Sequence, residues 1–147
     1  MLLAVTMLGV GLAATGTLWA QAARREREEQ LLDIGNAYRV AIKRYYLNSP
    51  GTVMQYPPSL DDLLLDRRHL TVVRYLRKRY PDPITGLSNW GVLQAADGGI
   101  MGVYSLSGQA PLKIRGFRAD NEFFADATAY SEWKFIFLPD DEQFVPR

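Results

Sequence analysis

The first 49 residues contain no proline, and this constrains the fold more than any other feature of the sequence. Residues 1–23 are also free of charged side chains, and beyond them apolar residues recur at three- and four-residue spacing. We therefore expect one continuous helix from about residue 2 to residue 47. Pro50 ends it, because the residue before a proline avoids helical geometry, and Gly51 relaxes the turn that follows.

The uncharged run gives way to a dense charge cluster at Arg24, and this boundary allows two interpretations. Residues 20–22 (Ala-Gln-Ala) satisfy the small-residue rule for cleavage of a signal peptide. A signal peptide, however, has a basic start and an apolar core of roughly 7–15 residues, and this run is longer and starts without a basic residue. As a helix it would span about 35 Å, and Trp19 lies where a membrane interface would begin. The sequence therefore favours a transmembrane segment over residues 1–23.

Small residues within this segment lie on one face of the expected helix. They form two small-xxx-small pairs, Gly9 with Ala13 and Gly16 with Ala20, a spacing that lets neighbouring membrane helices approach closely. The alternative is that glycine and alanine are simply common in such segments. We expect these four residues to serve helix packing and assembly.

An apolar stripe continues along the second half of the helix. Its members are Leu31, Ile34, Gly35, Tyr38, Ala41, Ile42, Tyr45 and Tyr46. The charged residues assigned to the other faces are Arg24, Glu28, Asp33, Arg39 and Lys43. The stripe predicts that this half packs against a domain by one face. That domain would comprise residues 24–147, with a spine helix continuous with the transmembrane segment to about residue 47.

Short helices are expected next along the chain. Residues 59–66 form one, with Ser59 as its N-cap, and residues 69–80 form another, with Leu70, Val73, Leu76 and Tyr80 facing inward. After these two helices, the apolar periodicity is broken by the stretch "YPDPITGLSNWG". A structural turn and a core contact are expected from Pro81, Asp82, Pro83, Gly86 and Trp90. The prolines fix φ, the aspartate accepts backbone hydrogen bonds, and Trp90 packs on the spine near Tyr38 or Ile42.

The last part of the chain predicts a small antiparallel sheet. Residues 89–95 and 100–106 flank an Ala-Asp-Gly-Gly turn and form a hairpin. A third strand is expected within residues 131–139, after a long loop over 107–130, and residues 140–147 should fray. The fold class is therefore α+β, with the long helix packed against short helices and the sheet.

Composition and motifs argue against catalysis. The chain has no cysteine, so disulfides, thiolate metal sites and cysteine nucleophiles are excluded. His69 is the only histidine and is expected on a solvated helix surface. Asp61 and Asp62 are adjacent carboxylates, but two acidic residues in a first helical turn are explained by the helix dipole. No phosphate loop, nucleophile elbow or metal-ligand motif is present, and we expect a protein that is not an enzyme.

The layout and several stretches resemble pseudopilins of the type II secretion and type IV pilus superfamily. The stretches are "REREEQLLDIGNAYRVAIKRYY", "YPPSLDDLLLD", "YPDPITG…NWG" and "GVYSLS", which together cover roughly residues 24–107 and are similar to bacterial general secretion pathway proteins. The resemblance implies a pilin-like fold and a single-pass protein of the bacterial inner membrane with its domain in the periplasm. It also implies assembly with itself and other pseudopilins into a short helical filament. That filament works with the inner-membrane secretion apparatus to export proteins.

The start of the chain departs from this family pattern. Family members begin with a basic leader, a glycine cleavage site, a phenylalanine and a glutamate, whereas residues 1–23 contain neither glutamate nor phenylalanine. We expect the true start to lie upstream of Met1. Arg24, Arg25 and Arg27 follow the apolar run, so a literal positive-inside count would place the domain in the cytoplasm. The periplasmic location is therefore implied by the resemblance alone.

Two minority alternatives concern ligands. Some pseudopilins hold calcium in a C-terminal loop. In this chain the candidate oxygen ligands are Asp120, Asn121, Glu122 and Asp126. The main expectation is nevertheless a solvated acidic loop, and no cofactor is required. Residues 67–79 carry six Arg or Lys side chains. They could bind DNA in a minor type IV pilin that serves DNA uptake or pilus assembly. A polar surface or a contact with an acidic part of the next subunit is the expected role, so nucleic acid is not the expected partner.

Overall fold

The computed structural model describes residues 2–139, apart from the side chains of residues 2–4, 7, 8 and 10. Met1 and residues 140–147, including the tail expected to fray, lie outside the described residues. The regular elements are helix α1 (Leu2–Leu47) and strands β1 (Gly91–Gln94), β2 (Ile100–Tyr104) and β3 (Phe135–Ile136). Three short 3₁₀ helices span Leu60–Leu63, Ala119–Phe124 and Tyr130–Glu132. The predicted α+β class is confirmed.

Helix α1 is continuous, as its proline-free sequence predicts, but its two halves have different surroundings. The side chains of residues 11–23 are all exposed. Buried positions begin at Glu28 and continue to Tyr45 along one face. Within the described part of the chain, no helix combines the length and the mean hydropathy expected of a membrane span.

The sheet is antiparallel, with strand order β1-β2-β3. β1 and β2 form the predicted hairpin, whose turn includes Gly98 at a φ of 83°. β3 is only two residues long and pairs Phe135 with Val103. The Phe135 ring packs against α1 at Gly35, where a Cβ would lie 2.3 Å from the ring. The glycine therefore allows the sheet to lie directly on the helix.

The core forms between the second half of α1, the sheet and the C-terminal loop. Phe124 and Trp133 stack with parallel rings at a centroid distance of 5.6 Å, and Tyr130 meets the edge of Trp133 at 5.3 Å. The loop over residues 107–130 thus contributes large side chains to the core, although its sequence has weak periodicity. The residues that are entirely buried include Leu31, Tyr38, Ile42, Leu63, Val103, Phe124, Tyr130, Trp133 and Phe135.

The predicted helix over residues 69–80 is wrong. This segment is extended and irregular, and its backbone pairs with the preceding 3₁₀ turn: the Tyr75 and Leu76 amides donate to the Leu63 carbonyl at 2.9 and 3.0 Å. Leu76 is buried as expected, but Leu70 is fully exposed. The β-branched residues Thr71, Val72 and Val73 lower the helix propensity here, and tertiary pairing overrides the periodic pattern.

Candidate functional site

The exposed half of α1 presents the four small residues predicted to serve assembly. Gly9, Ala13, Gly16 and Ala20 are all exposed, and they fall on one side of the helix because four residues turn it by about 400°. A Cβ added at Gly9 or Gly16 would meet nothing within 4 Å. The face is therefore open to another helix.

Large apolar side chains surround this face. Leu12, Leu18 and Trp19 are 72%, 65% and 77% exposed. Burial of a large apolar side chain gains roughly 1.5–3 kcal/mol, so these three exposed groups would be stabilised by apolar cover. Such a surface fits lipid or partner helices.

Glu28 marks the point where α1 enters the domain, and its assignment to a face away from the buried stripe is wrong. The side chain is buried in a cradle of three donors. The amides of Leu112 and Lys113 and the hydroxyl of Tyr130 each donate to its carboxylate at 2.8 Å. Burial, followed by the hydrogen bond to Glu28, raises the pKa of the Tyr130 hydroxyl. We call Glu28 and these three donors the Glu28 cradle.

Arg24 lies one turn before Glu28 and holds the same loop. Its guanidinium Nη2 donates to the carbonyl of Ala110, while its Nε is buried without a hydrogen-bond partner. Together, Arg24 and Glu28 fix residues 110–113 against α1. We call residues 110–116 the strap.

A second buried carboxylate, Asp66, fixes the opposite end of the domain. It accepts a two-pronged interaction from the Arg68 guanidinium at 2.9 and 2.7 Å and a hydrogen bond from the Tyr75 hydroxyl at 2.9 Å. Burial would raise the pKa of Asp66, but the hydrogen bonds from Arg68 and Tyr75 outweigh it and hold the pKa at about 2. His69 Nε2 lies 3.4 Å from the same carboxylate. The His69 side chain is half-buried and belongs to an irregular segment. Its predicted position on a solvated helix surface is therefore wrong.

Arg68 also ties this cluster to the C-terminal end of α1. Its Nη2 donates to the carbonyl of Tyr45 at 2.8 Å, and its guanidinium carbon lies 3.6 Å from the Tyr45 ring centroid. A cation at a helix C-terminus satisfies free carbonyls and opposes the helix dipole. Asp66, Arg68, His69 and Tyr75 form what we call the Asp66 cluster, whose role is structural.

The turn region brings Asp82 and Trp90 to the positions expected of them. Asp82 is fully buried and accepts hydrogen bonds from the Ile84 amide at 2.8 Å and the Ser105 hydroxyl at 2.5 Å. Gly86 has a φ of 73°. Trp90 packs on Tyr38 of the spine at a ring-centroid distance of 5.3 Å and donates from Nε1 to a backbone carbonyl at 2.8 Å.

The two prolines of this region lie on its outer side. Pro81 is exposed and Pro83 is half-buried, and both flank the buried Asp82. The region thus orients the sheet on the helix.

The four candidate oxygen ligands for calcium do not converge. Asp120 is largely exposed and lies 3.9 Å from Arg39, Asn121 is buried with its Oδ1 unpartnered, and Glu122 and Asp126 are exposed. Across residues 2–139, no three His, Cys, Asp or Glu residues are grouped so as to hold a metal ion. The calcium alternative stays a prediction.

The basic segment 67–79 has two parts with different roles. Arg68 is engaged in the Asp66 cluster, whereas the other five cations of the segment are exposed. Those five are Arg67, Arg74, Arg77, Lys78 and Arg79. Arg79 also pairs with Asp61 at 3.1 Å. The segment is therefore a mainly exposed, positively charged surface.

Of the three buried carboxylates Glu28, Asp66 and Asp82, sequence reasoning missed the first two. For Glu28 a signal was present, since residues 28, 31, 35, 38, 42 and 45 alternate in steps of three and four and all are buried. For Asp66 the sequence carries no comparable signal.

Comparison with known proteins yields no match to a family model, to a curated protein or to a solved structure.

Proposed function

We propose that this chain is a non-enzymatic, pseudopilin-like subunit of a type II secretion system. Its N-terminal segment, residues 1–23, anchors it in the bacterial inner membrane, with the domain in the periplasm. Subunits assemble through α1, with one another and with other pseudopilins, into a short filament that helps to export proteins. The observation that carries the proposal is the division of α1 into one half that organises a domain and one half that stays bare.

The bare half has the properties that assembly through a helix requires. It is continuous with the domain's spine, so a force on one half is transmitted to the other without a hinge. Its small-residue face allows close helix approach, and its exposed apolar side chains need lipid or protein cover. A pilin-like packing of the sheet on the spine is the finer form of the α+β fold that this proposal includes.

Substitutions on opposite faces of the bare half test the proposal. Gly16→Leu blocks the small-residue face, while Gly11→Leu adds the same side chain on the opposite face, five residues and about 140° away. Neither glycine has an atom within 4 Å of its added Cβ, so neither change strains the subunit itself.

The assay is secretion in the native host after deletion of the gene. The deletion should trap exported proteins in the periplasm, and wild-type protein and Gly11→Leu should restore export. Gly16→Leu should restore at least 10-fold less export at equal membrane abundance. Normal export in the deletion strain would contradict the proposed function, and equal rescue by both variants would contradict assembly through this face.

The alternative function is that of a minor type IV pilin that captures DNA through residues 67–79. The observation that favours it is the exposure of five cations on one extended segment. Binding would then weaken steeply with salt, since each neutralised phosphate releases counterions. An electrophoretic shift that is lost in Arg74→Gln/Arg77→Gln, but kept in Lys43→Gln on the helix, would favour this alternative. Absence of a shift at low salt would remove it.

A further inference from the structure

We propose that the strap, residues 110–116, rests on the membrane surface and binds anionic phospholipid headgroups. Apolar and basic side chains alternate along its centre, in the order Leu112, Lys113, Ile114 and Arg115. The proposal rests on the membrane anchor of the proposed function and deepens it, because it names a second membrane contact and the lipid class that this contact recognises.

The first argument is the position of the strap along α1. Arg24 binds the carbonyl of Ala110, and Glu28 binds the amides of Leu112 and Lys113. Glu28 is five residues beyond the end of the proposed membrane segment, which is about 7 Å along the helix axis. The headgroup region on each side of a bilayer is about 5–8 Å deep. The strap is therefore held at the level of the headgroups.

The second argument is the chemistry of the strap. Ile114 is 53% exposed and Leu112 is 38% exposed, although both are large apolar side chains. Arg115 is exposed, and Lys113 is half-buried, with its Nζ 5.3 Å from the ring of Phe117. Apolar side chains beside cations are the pattern of segments that lie in a membrane interface.

The third argument is the charge around the strap. The adjoining turn of α1 adds exposed Arg25 and Arg27, and also exposed Glu26 and Glu29. With Lys113 and Arg115, the cations number four against two carboxylates, so the surface facing the proposed membrane is positive.

A groove lies between α1 and the strap on this side of the domain. Its volume is 460 Å³, and its charged lining consists of Arg25 of the helix and Lys113 of the strap together with Glu28, which is engaged in the Glu28 cradle, and Glu29. A phosphate in this groove would meet one cation from each element, and charge-assisted hydrogen bonds to phosphate are roughly twice as strong as neutral ones. The strap thus joins apolar insertion to phosphate recognition.

Single-cysteine labelling can test the contact cleanly, because the chain contains no cysteine. An environment-sensitive fluorophore is attached to the full chain at Ile114→Cys. The labelled chain is placed in phosphatidylcholine vesicles at a low protein-to-lipid ratio. One set of vesicles also contains about 30% phosphatidylglycerol, which supplies the anionic headgroups. The matched control carries the label at Leu70→Cys, which is fully exposed near the other end of the domain. Quenchers attached to lipid near the headgroup distinguish contact with lipid from contact with another protein.

The expected result is a blue shift and at least threefold stronger lipid quenching at position 114 than at position 70, larger with phosphatidylglycerol. Lys113→Gln/Arg115→Gln should remove the dependence on anionic lipid, since both side chains project from a strap whose backbone the Glu28 cradle still holds. A label at 114 shielded from water but unquenched by lipid would indicate a protein partner and overturn the proposal. Equal behaviour in both kinds of vesicle would overturn recognition of anionic lipid.

Flotation of the vesicles separates this inference from the anchor on which it rests. If the labelled chain floats with the vesicles while position 114 behaves like position 70, the anchor stands and the strap contact is wrong. If the chain does not float, the membrane anchor itself is contradicted, and the strap contact with it.

Discussion

The two halves of α1 are one continuous helix, yet they meet opposite surroundings. In the first half, Leu12 and Trp19 are more than 70% exposed, and Gly16 has open space around it. In the second half, Tyr38 and Ile42 are entirely buried, and Gly35 leaves no room for a Cβ. Continuity of backbone structure therefore does not mark the extent of the domain. The contacts of the side chains do, because Tyr38 and Ile42 are buried in the domain, while Leu12 and Trp19, although large and apolar, stay exposed.

The boundary between the halves is set by polar groups rather than by a break in the helix. Arg24 and Glu28 bind a distant loop, and every buried position among the described side chains of α1 lies at or beyond Glu28. A buried carboxylate is costly unless its oxygens are satisfied, and three donors satisfy this one. The domain thus begins where the helix finds hydrogen-bond partners far along the chain.

The strongest test of this contrast compares two tryptophans. Trp90→Ala should destabilise the domain by about 3–5 kcal/mol, because the indole packs on Tyr38 and its Nε1 binds a backbone carbonyl. Trp19→Ala, at an exposed position of the bare half, should change domain unfolding by less than about 0.5 kcal/mol. Thermal unfolding of the full chain in detergent, followed by near-ultraviolet circular dichroism, measures both. An unchanged midpoint for Trp90→Ala would make it a surface contact.

The next test moves to the boundary. Glu28→Ala should cost about 3 kcal/mol, since it leaves the amides of Leu112 and Lys113 and the Tyr130 hydroxyl without their acceptor. Glu29→Ala is the matched control, because Glu29 is the exposed neighbour. Urea unfolding of the two variants gives the difference. If they are equally stable, the boundary lies further along α1, and the cradle does not hold the strap.

The elements that the sequence predicts well depend on local patterns. Helix α1 follows from its proline-free apolar periodicity, and the hairpin follows from its Asp-Gly-Gly turn. The sequence also predicts the packing of Trp90 near Tyr38, because Pro81 and Pro83 restrict the turn that returns the chain to the helix.

The features that sequence reasoning misses depend on partners far apart in the chain. Glu28 binds groups 84, 85 and 102 residues away, and because it is charged it was assigned to a face off the apolar stripe. Residues 69–80 have apolar residues at helical spacing, but amides of this segment pair with Leu63 in an extended conformation. Local propensity does not include the distant partners of Glu28 or the pairing with Leu63, because these interactions exist only in the folded chain.

The Asp66 cluster allows a pH test at the far end of the domain. Its carboxylate has a pKa lowered to about 2, against 3.8 for a free aspartate, so it stabilises the fold above pH 4. That contribution to the free energy of unfolding is about 2 kcal/mol. It is lost as the pH falls from about 4 to about 2, because Asp66 then becomes protonated in the folded protein as well as in the unfolded chain. Asp66→Asn should be less stable than the wild type at neutral pH and should lose less stability between pH 4 and pH 2. The control Glu122→Gln, at an exposed carboxylate, should show the same pH dependence as the wild type. Acid titrations of the unfolding free energy measure all three, and parallel losses in Asp66→Asn and wild type would show that another group controls acid unfolding.

The smallest expected effects come from two glycines of the same helix. Gly35→Ala places a Cβ 2.3 Å from the ring of Phe135, which is fully buried and cannot move away freely, so the sheet must shift at a cost of about 1 kcal/mol or more. Gly16→Ala makes no new contact within 4 Å and replaces a poor helix former by the best one, so it should leave domain unfolding unchanged within about 0.5 kcal/mol. Because the substitution and the backbone conformation are the same at both sites, the difference between the two unfolding free energies isolates the surroundings of each half. Equal values would mean that the sheet does not press on α1 at Gly35, and the division of the helix into a packed half and a bare half would lose its physical basis.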